Sequence, residues 1–448
     1  MSAPSTSRDA AAPRGMRTFL IVWLGQLISL IGSGLTSFAL GVWMFEETGL
    51  ATPFALTVLF GSLPRILLAP LAGSLADRWN RRWQMVLGDS GDALVTLGAV
   101  VLVALGRLEV WHVYVIAALS ASFAAFQDPA YTASVAMLVP KKDLARANGL
   151  VQMARSMEML IAPLLAGSLL GLVGLRGVIA IDFASYFFAI GTLLWVKIPQ
   201  PELADEDKGR RGGVVWRDIA LGWRYVAARP GLLGLLFYFA LVNFLINFSN
   251  VLMGPLVLSF GTPAALGIVQ TAAGVGMLVG SVAISAWGGL ERRVMGVVGF
   301  IALSAVGIVL MGVQPATAGV AAGSALFLFC IPLASGHSQA IWQTKVAPDV
   351  QGRVFAARSI ISSSMMPLAF LLAGPLADHV FEPWMAAGGA LAQSVAGRLL
   401  GTGEGRGIGL IYVISGLLLV FVSALVWIWP QIRRVEDVLP DAVIDPAP

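Results

Sequence analysis

Charge is what this sequence has least of. Its 29 Lys plus Arg and 25 Asp plus Glu make 12% of 448 residues, about half the share of an ordinary soluble domain. A chain so poor in charge cannot cover a large globule with solvated side chains, which excludes the common soluble enzyme. Cysteine is scarcer still. Cys330 stands alone, so an intrachain disulfide and a cysteine metal cluster are both excluded. The 3 histidines show no metal-ligand spacing, and neither a Gly-Lys-Ser/Thr phosphate loop nor a Gly-x-Ser-x-Gly elbow is present. The expectation is a chain that is no enzyme, holds no metal or cofactor and binds no nucleic acid.

What is there in excess is apolar sequence, at 57% of residues and a mean hydropathy of +0.82. Runs of about 20 apolar residues, each enough to cross a bilayer as a helix, fall near 19–45, 52–76, 84–105, 111–139, 148–172, 174–197, 232–260, 264–290, 294–313, 318–346, 354–380 and 408–430. Residues 1–15 are polar, and the first apolar run is too long for a cleaved leader. With the N-terminus inside, Arg107, Arg176, Arg398 and Arg406 fall outside and Arg65 mid-span, while every other Lys and Arg falls on cytoplasmic segments or adjoining helix ends. Short loops rich in Lys and Arg stay in the cytoplasm, so both termini are expected there, in a multi-pass protein of the cell membrane.

Charge returns between 198 and 231, where Glu202, Asp205, Glu206, Asp207, Lys208, Arg210 and Arg211 cluster. The sequences on either side echo each other. Gly73-Ser74 recurs as Gly280-Ser281, Arg146 as Arg353 and Ala166-Gly167 as Ala373-Gly374 at one fixed offset, and Pro140 recurs as Pro348 one residue out of step. Internal repeats of this kind mark pseudo-symmetric membrane bundles. The expected fold is all-α and polytopic, with twelve transmembrane helices in two pseudo-symmetric six-helix bundles. Its parts are a disordered cytoplasmic N-terminus (1–16), an N-terminal bundle (17–197), a cytoplasmic linker (198–231), a C-terminal bundle (232–430) and a cytoplasmic tail (431–448). The loop 381–407 is expected to lie on the outer membrane surface as an interfacial cap.

The second span ends in LAGSLADRWNRR (71–82). Ala72, Gly73, Ser74 and Ala76 are small enough for a second helix to approach closely, and Asp77 sits where the helix leaves the bilayer. A carboxylate there can face the positive N-terminal end of a helix beginning on the same side. This stretch resembles the loop between helices 2 and 3 of the major facilitator superfamily, Gly-x-Leu-Ala-Asp-Arg-x-Gly-Arg-Arg. Gly73, Leu75, Ala76, Asp77, Arg78, Arg81 and Arg82 match. Asn80 replaces the second glycine, a mild departure because asparagine tolerates a left-handed turn. In the second half the motif is degraded to SAWGGLERR, which keeps Arg292 and Arg293 and loses the aspartate.

The resemblance is to the drug:proton antiporter branch that contains macrolide-efflux-type proteins. It is carried by WLGQLISLIGSGLTSFALGVW in the first span, PAYTASVAMLVPKKDLARANGL from Pro129, IAIDFASYFF from Ile179 and LAGPLADHVFEPWM from Leu372. It implies proton-driven export, with a gradient rather than ATP hydrolysis as the energy source, and it names no cargo. Two departures weaken the antiport reading. The fourth span has no arginine in its membrane part and carries Asp128 instead. The antiporter motif Gly-Pro-x-x-Gly-Gly of the fifth span is Ala162-Pro163-Leu164-Leu165-Ala166-Gly167 here, with close packing against the eighth span still expected.

Ionisable groups inside a bilayer are costly and default to functional hypotheses. In the first half these are Arg65, Asp89, Asp92, Asp128, Arg155, Glu158 and Asp182. At about 1.5 Å rise per residue, Arg65, Asp92, Asp128 and Glu158 share a depth, so a buried cluster is expected in which Arg65 pairs with Asp128 or Asp92 and Arg155 lies within a turn of Glu158. Either this cluster handles the coupling proton, with Asp128 the foremost candidate, or it is a charge-balanced brace. Asp89, near the interface, reads more as a brace. In the second half only His337 is expected within the membrane, near the symmetry counterpart of Asp128, as a relay or as plain hydrogen-bonded structure.

Gln26, Ser29, Ser33 and Thr36 share one face of the first span, and Asn243, Asn247 and Asn250 one face of the seventh. Such faces suit a water-filled cavity lined by spans 1, 4, 7 and 10, or else bonds between helices. Phe126, Tyr131, Tyr238, Phe244 and Trp342 would give that cavity apolar walls for a hydrophobic cargo. Asp77 is expected to dock near Gly352, at the start of the eleventh span. The leading reading is a monomeric proton-coupled exporter of amphiphilic small molecules, such as macrolides, other drugs or peptide natural products. The alternatives are an exporter of an endogenous solute, a siderophore or lysophospholipid, and a membrane scaffold or sensor that transports nothing.

Overall fold

The computed structural model describes residues 15–196, 198, 214–347 and 350–439, and among them every regular element is a helix. Among the described residues, eleven helices are long and apolar enough to cross a membrane. In the first half these are α1 (Met16–Thr48), α2 (Ala51–Arg78), α3 (Arg81–Ala104), α4 (Val110–Leu138) and α5 (Leu144–Trp195). A short amphipathic helix, α6 (Val214–Ala227), follows in the linker. The second half contains α7 (Pro230–Val251), extended by α8 (Met253–Leu258), then α9 (Pro263–Trp287), α10 (Arg293–Val313), α11 (Thr317–Lys345) and α12 (Gln351–Leu376). After two short helices, α13 (Glu382–Met385) and α14 (Val395–Leu400), the last span is α15 (Arg406–Ile428), followed by α16 (Pro430–Arg433) and α17 (Val435–Val438).

Eleven helices make twelve crossings because α5, at 52 residues, is two spans. About 20 residues suffice for one. The break is at Gly174, whose φ of 67° and ψ of 178° are non-helical, a conformation that glycine reaches without the clash a Cβ would bring. The chain around it therefore turns back while staying almost continuously helical.

The chain packs into two compact units. One comprises Met1–Ser37, Phe60–Glu158 and Val173–Ala204, and the other Phe38–Leu59, Met159–Leu172 and Asp205–Pro448. The adjoining ends of α1 and α2, and the middle of α5, thus pack with the C-terminal helices. In the first unit the core gathers Phe19, Met85, Ala130, Leu138 and Leu193. In the second, Phe327, Trp342 and Tyr412 are fully buried. Small residues set the spacing there. A Cβ at Gly276 or Gly280 of α9 would run into the Ala325 or Phe329 carbonyl of α11. A Cβ at Gly167 of α5 would lie 2.7 Å from the Pro263 carbonyl of α9, and one at Gly267 2.5 Å from the Pro163 carbonyl, so these two backbones are in direct contact, as membrane helices pack.

Two local expectations change. Asn80 is not in a left-handed turn. With φ −65° and ψ 109° it is the extended N-cap of α3, its side chain accepting from the Arg82 and Trp83 N–H groups. Asparagine does here what it does best at a helix start. The 381–407 segment, expected as an interfacial cap, carries more fixed structure than its spacing foretells. Met385 and Leu400 are buried with Leu410. The Glu382 carboxylate accepts from the Gly405 and Ile408 N–H groups at 3.1 and 2.8 Å, and buried Arg406 donates to the Leu400 carbonyl at 2.9 Å. The expected termini at 1–14 and 440–448, and the linker stretch 199–213, lie outside the described residues.

Candidate functional site

One charged group of the first unit brings α2, α4 and α5 together. Asp128 stands one residue before Pro129, which has no N–H to give the Ala125 carbonyl, so the helix is loosened there. Two guanidiniums share its carboxylate. Arg65 reaches Oδ2 at 3.7 Å and Arg155 reaches Oδ1 at 3.8 Å. Glu158 lies one turn beyond Arg155 on α5. Of the two partners expected for Arg65, the structure supplies Asp128. The group is not buried, however. The three side chains are 55%, 49% and 58% exposed, because depth along a helix, which the residue rise measures, does not say which face a residue takes.

Asp92 takes its hydrogen bond elsewhere. It accepts from the Tyr186 hydroxyl at 2.8 Å, and that hydroxyl is 3.0 Å from Ser33 Oγ on α1. One turn earlier on α3, Asp89 is buried at 2% exposure. It accepts from Gln26 Nε2 at 2.9 Å and from Gln127 Nε2 at 2.6 Å, and Gln127 Nε2 also lies 3.0 Å from Gln26 Oε1. Three helices are thus pinned by one carboxylate and two amides. Asp182 of α5 is also buried, with Ser185 Oγ at 3.5 Å and the Gly32 backbone against it. Ser29 and Thr36 are buried on α1. Phe126 is half-buried and its carbonyl accepts from Gln84. Half-buried Tyr131 packs on the first unit's core.

At the 71–82 motif, the side chains of Gly73, Ser74, Ala76, Asp77 and Arg78 lie outside the described residues, as does that of Ala356. Arg81 and Arg82 are described, and both staple the start of α3 to neighbouring helix ends. Arg81 donates to the Ala133 carbonyl at 3.4 Å and Arg82 to the Leu193 carbonyl at 2.7 Å. Arg293 repeats the arrangement in the second half, donating to the Ala340 carbonyl at 3.4 Å.

In the second unit two amides of α7 donate within their own helix. Asn243 donates to the Phe239 carbonyl and Asn247 to the Asn243 carbonyl, each at 2.8 Å, and Asn250 is exposed. Tyr238 is buried, its hydroxyl 3.1 Å from Ser423 of α15. Trp342 is fully buried, its indole N–H without a partner. His337 has both ring nitrogens engaged by backbone. Its Nε2 accepts from the Leu290 N–H at 2.8 Å, which leaves Nδ1 to donate to the Leu333 carbonyl at 2.7 Å. The neutral ring closes the turn after α9, between Trp287 and Phe300. Replacement by phenylalanine is expected to lower the thermal midpoint of the purified protein and leave the pH profile of transport unmoved. A shifted profile would show that His337 carries a proton.

Sequence reasoning missed Arg358 of α12 as a group inside the second half. Its guanidinium lies 5.1 Å from the Trp342 ring and 5.7 Å from the Phe239 ring, and it donates to Gln339 Oε1 at 3.1 Å and Ser338 Oγ at 3.0 Å. An arginine held against aromatic faces is restrained by cation–π attraction as well as by hydrogen bonds. Its spacing from the helix start was the available signal, and it reads equally as a basic cytoplasmic edge.

The first unit therefore holds an open Arg–Asp–Arg group beside a glutamate, together with inner carboxylates bonded to amide and hydroxyl donors. Such groups can bind and pass protons or meet a charged solute, and nothing in the arrangement resembles a nucleophile or metal site. Residues 22–370 match the Major Facilitator Superfamily model. The chain is 27% identical over 391 residues to macrolide efflux protein A of Streptococcus pyogenes, covering 84% of this chain and 94% of that protein. It is 24% identical over 371 residues to the multidrug efflux pump Tap of Mycobacterium bovis, covering 80% and 87%. A crystal structure of a bacterial homologue of the human lysosomal transporter Spinster, inward-facing and unoccupied, superposes with a TM-score of 0.65 at 14% identity, over 95% of this chain and 99% of that one. With twelve crossings, a matching fold and a family match over most of its length, the chain belongs to the major facilitator superfamily of membrane transporters.

Proposed function

We propose that this transporter exports amphiphilic small molecules, macrolides among them, from the cytoplasm across the cell membrane in exchange for protons, by alternating access. The observation that carries the reading is the Asp128 carboxylate shared by Arg65 and Arg155. A charged group this open at mid-helix is tolerable in a membrane protein where it meets water rather than lipid. Desolvation and a neighbouring guanidinium act in opposite directions on a carboxyl's proton. If the arginines withdraw in one conformation, proton affinity becomes linked to the direction of access. A pair that never separates would leave the coupling to Glu158 or Asp182. The efflux relatives support the cargo class, and the fold supports the alternation.

The working form is a monomer with both termini in the cytoplasm, and its partners are the cargo, protons and lipid. The test is accumulation of a radiolabelled macrolide in cells lacking other exporters. The protein should lower accumulation, and a protonophore should erase the difference. A difference that survives the protonophore would refute proton coupling, and equal accumulation with and without the protein would refute macrolide export.

A further inference from the structure

The second unit contains a bond that the transport reading does not use. α12 ends in Leu-Ala-Gly-Pro-Leu-Ala-Asp (372–378), a near copy of the Leu-Ala-Gly-Ser-Leu-Ala-Asp (71–77) that ends α2. Pro375 cannot donate to the preceding turn, and the helix widens into a π turn over Ala377–Phe381. The Asp378 side chain leaves this turn for the start of α2. Its Oδ1 accepts from the Ala51 N–H at 2.8 Å and its Oδ2 from the Thr52 N–H at 2.7 Å. Both carboxylate oxygens thus cap the first turn of α2, where orphan N–H groups and the helix dipole favour negative charge.

Close packing brings the two helix ends together. A Cβ at Gly374 would lie 2.5 Å from Thr52 Cα, and Ala51 and Ala55 are buried. Phe54 packs against Gly41 and Gly254. The Asp378 cap is the charged element among these contacts, and it joins the N-terminal half of the chain to the C-terminal half. By the Lys and Arg distribution this end of α2 is the outer one.

We infer that Asp378 is an outer latch: its carboxylate on the α2 N-terminus holds the outer ends of α2 and α12 together, and this bond must break for the transporter to open outward. The inference rests on alternating access as proposed above.

The test reads access, not transport, so it stands whether or not a macrolide is the cargo. Ala55→Cys is made in the full-length Cys330→Ala protein and labelled from outside with a membrane-impermeant maleimide. Asp378→Asn keeps one acceptor oxygen and removes the charge. It is expected to speed labelling about tenfold, the ratio that about 1.4 kcal/mol of population shift produces, and Asp378→Glu to speed it less. Ala99→Cys, buried in the first unit, controls for unfolding. An unchanged rate at Ala55→Cys in Asp378→Asn overturns the latch. An equal acceleration at Ala99→Cys also overturns it, because it would show a helix cap that only stabilises the fold.

Discussion

Asp128→Asn is expected to abolish proton-driven uptake of cargo into inverted vesicles while sparing exchange with no gradient imposed. Asparagine matches aspartate in size and keeps one acceptor oxygen, so what changes is charge and the ability to take up a proton. Arg65 and Arg155, at 3.7 and 3.8 Å, would then lose the carboxylate they share. All three side chains are about half exposed, and ion pairs in that setting contribute only about 0–1 kcal/mol to folding. The variant should therefore reach the membrane in normal amount. A loss of driven transport greater than about tenfold, or about 1.4 kcal/mol in the barrier, then reports coupling rather than misfolding. Gradient-driven uptake that persists in Asp128→Asn would move the coupling role to Glu158 or Asp182.

The span pattern was legible because lipid demands it: a segment without water must satisfy its backbone as a helix and present apolar side chains. Even the joined fifth and sixth spans were separable at 174, since the hydropathy resumes on either side of a glycine. The cap at 381–407 was not legible as folded structure. Its helices span only Glu382–Met385 and Val395–Leu400, shorter than any periodicity can register, and it is held by side-chain bonds from Glu382 and Arg406.

Within the site, residue spacing gave position along each axis and little about facing. Arg65 and Asp92 share a depth, yet Asp92 turns to Tyr186 on α5. Asn243 and Asn247 lie on one face, but each turns an amide N–H to the carbonyl four residues back, so spacing alone does not tell a cavity lining from a bond within the helix. Tyr238 looked like a cavity wall and points instead to Ser423. Asp89 is the sharpest case. Counted from the start of α3 it lies two turns in, near the interface, and it is nevertheless buried because Gln26 and Gln127 from two other helices close over it. Partner identity of that kind is set by the tertiary packing and leaves no trace in spacing.

The same network leads to the largest expected effect on stability, from Asp89→Leu. Leucine has the branched heavy-atom skeleton of aspartate but offers no acceptor. The amide groups of Gln26 and Gln127 would be left at a site where Asp89 itself is 2% exposed. Each buried donor stranded in this way costs about 1–3 kcal/mol. Their mutual contact at 3.0 Å retains one bond of the three, so the loss should fall in the lower half of the combined range of about 2–6 kcal/mol, at about 3 kcal/mol. In a chain of this size that lowers the thermal midpoint by roughly 3 °C, measurable in detergent by a tryptophan or thiol-dye melt. Asp89→Asn keeps a single carbonyl oxygen for two donors and should fall between the wild type and Asp89→Leu. If the three groups act as one unit, Gln26→Leu combined with Asp89→Leu will cost less than the two changes measured separately, since each removes a partner the other would have stranded. Strict additivity of the two would mean that α1, α3 and α4 are held by their packing alone and that the triangle contributes nothing as a network.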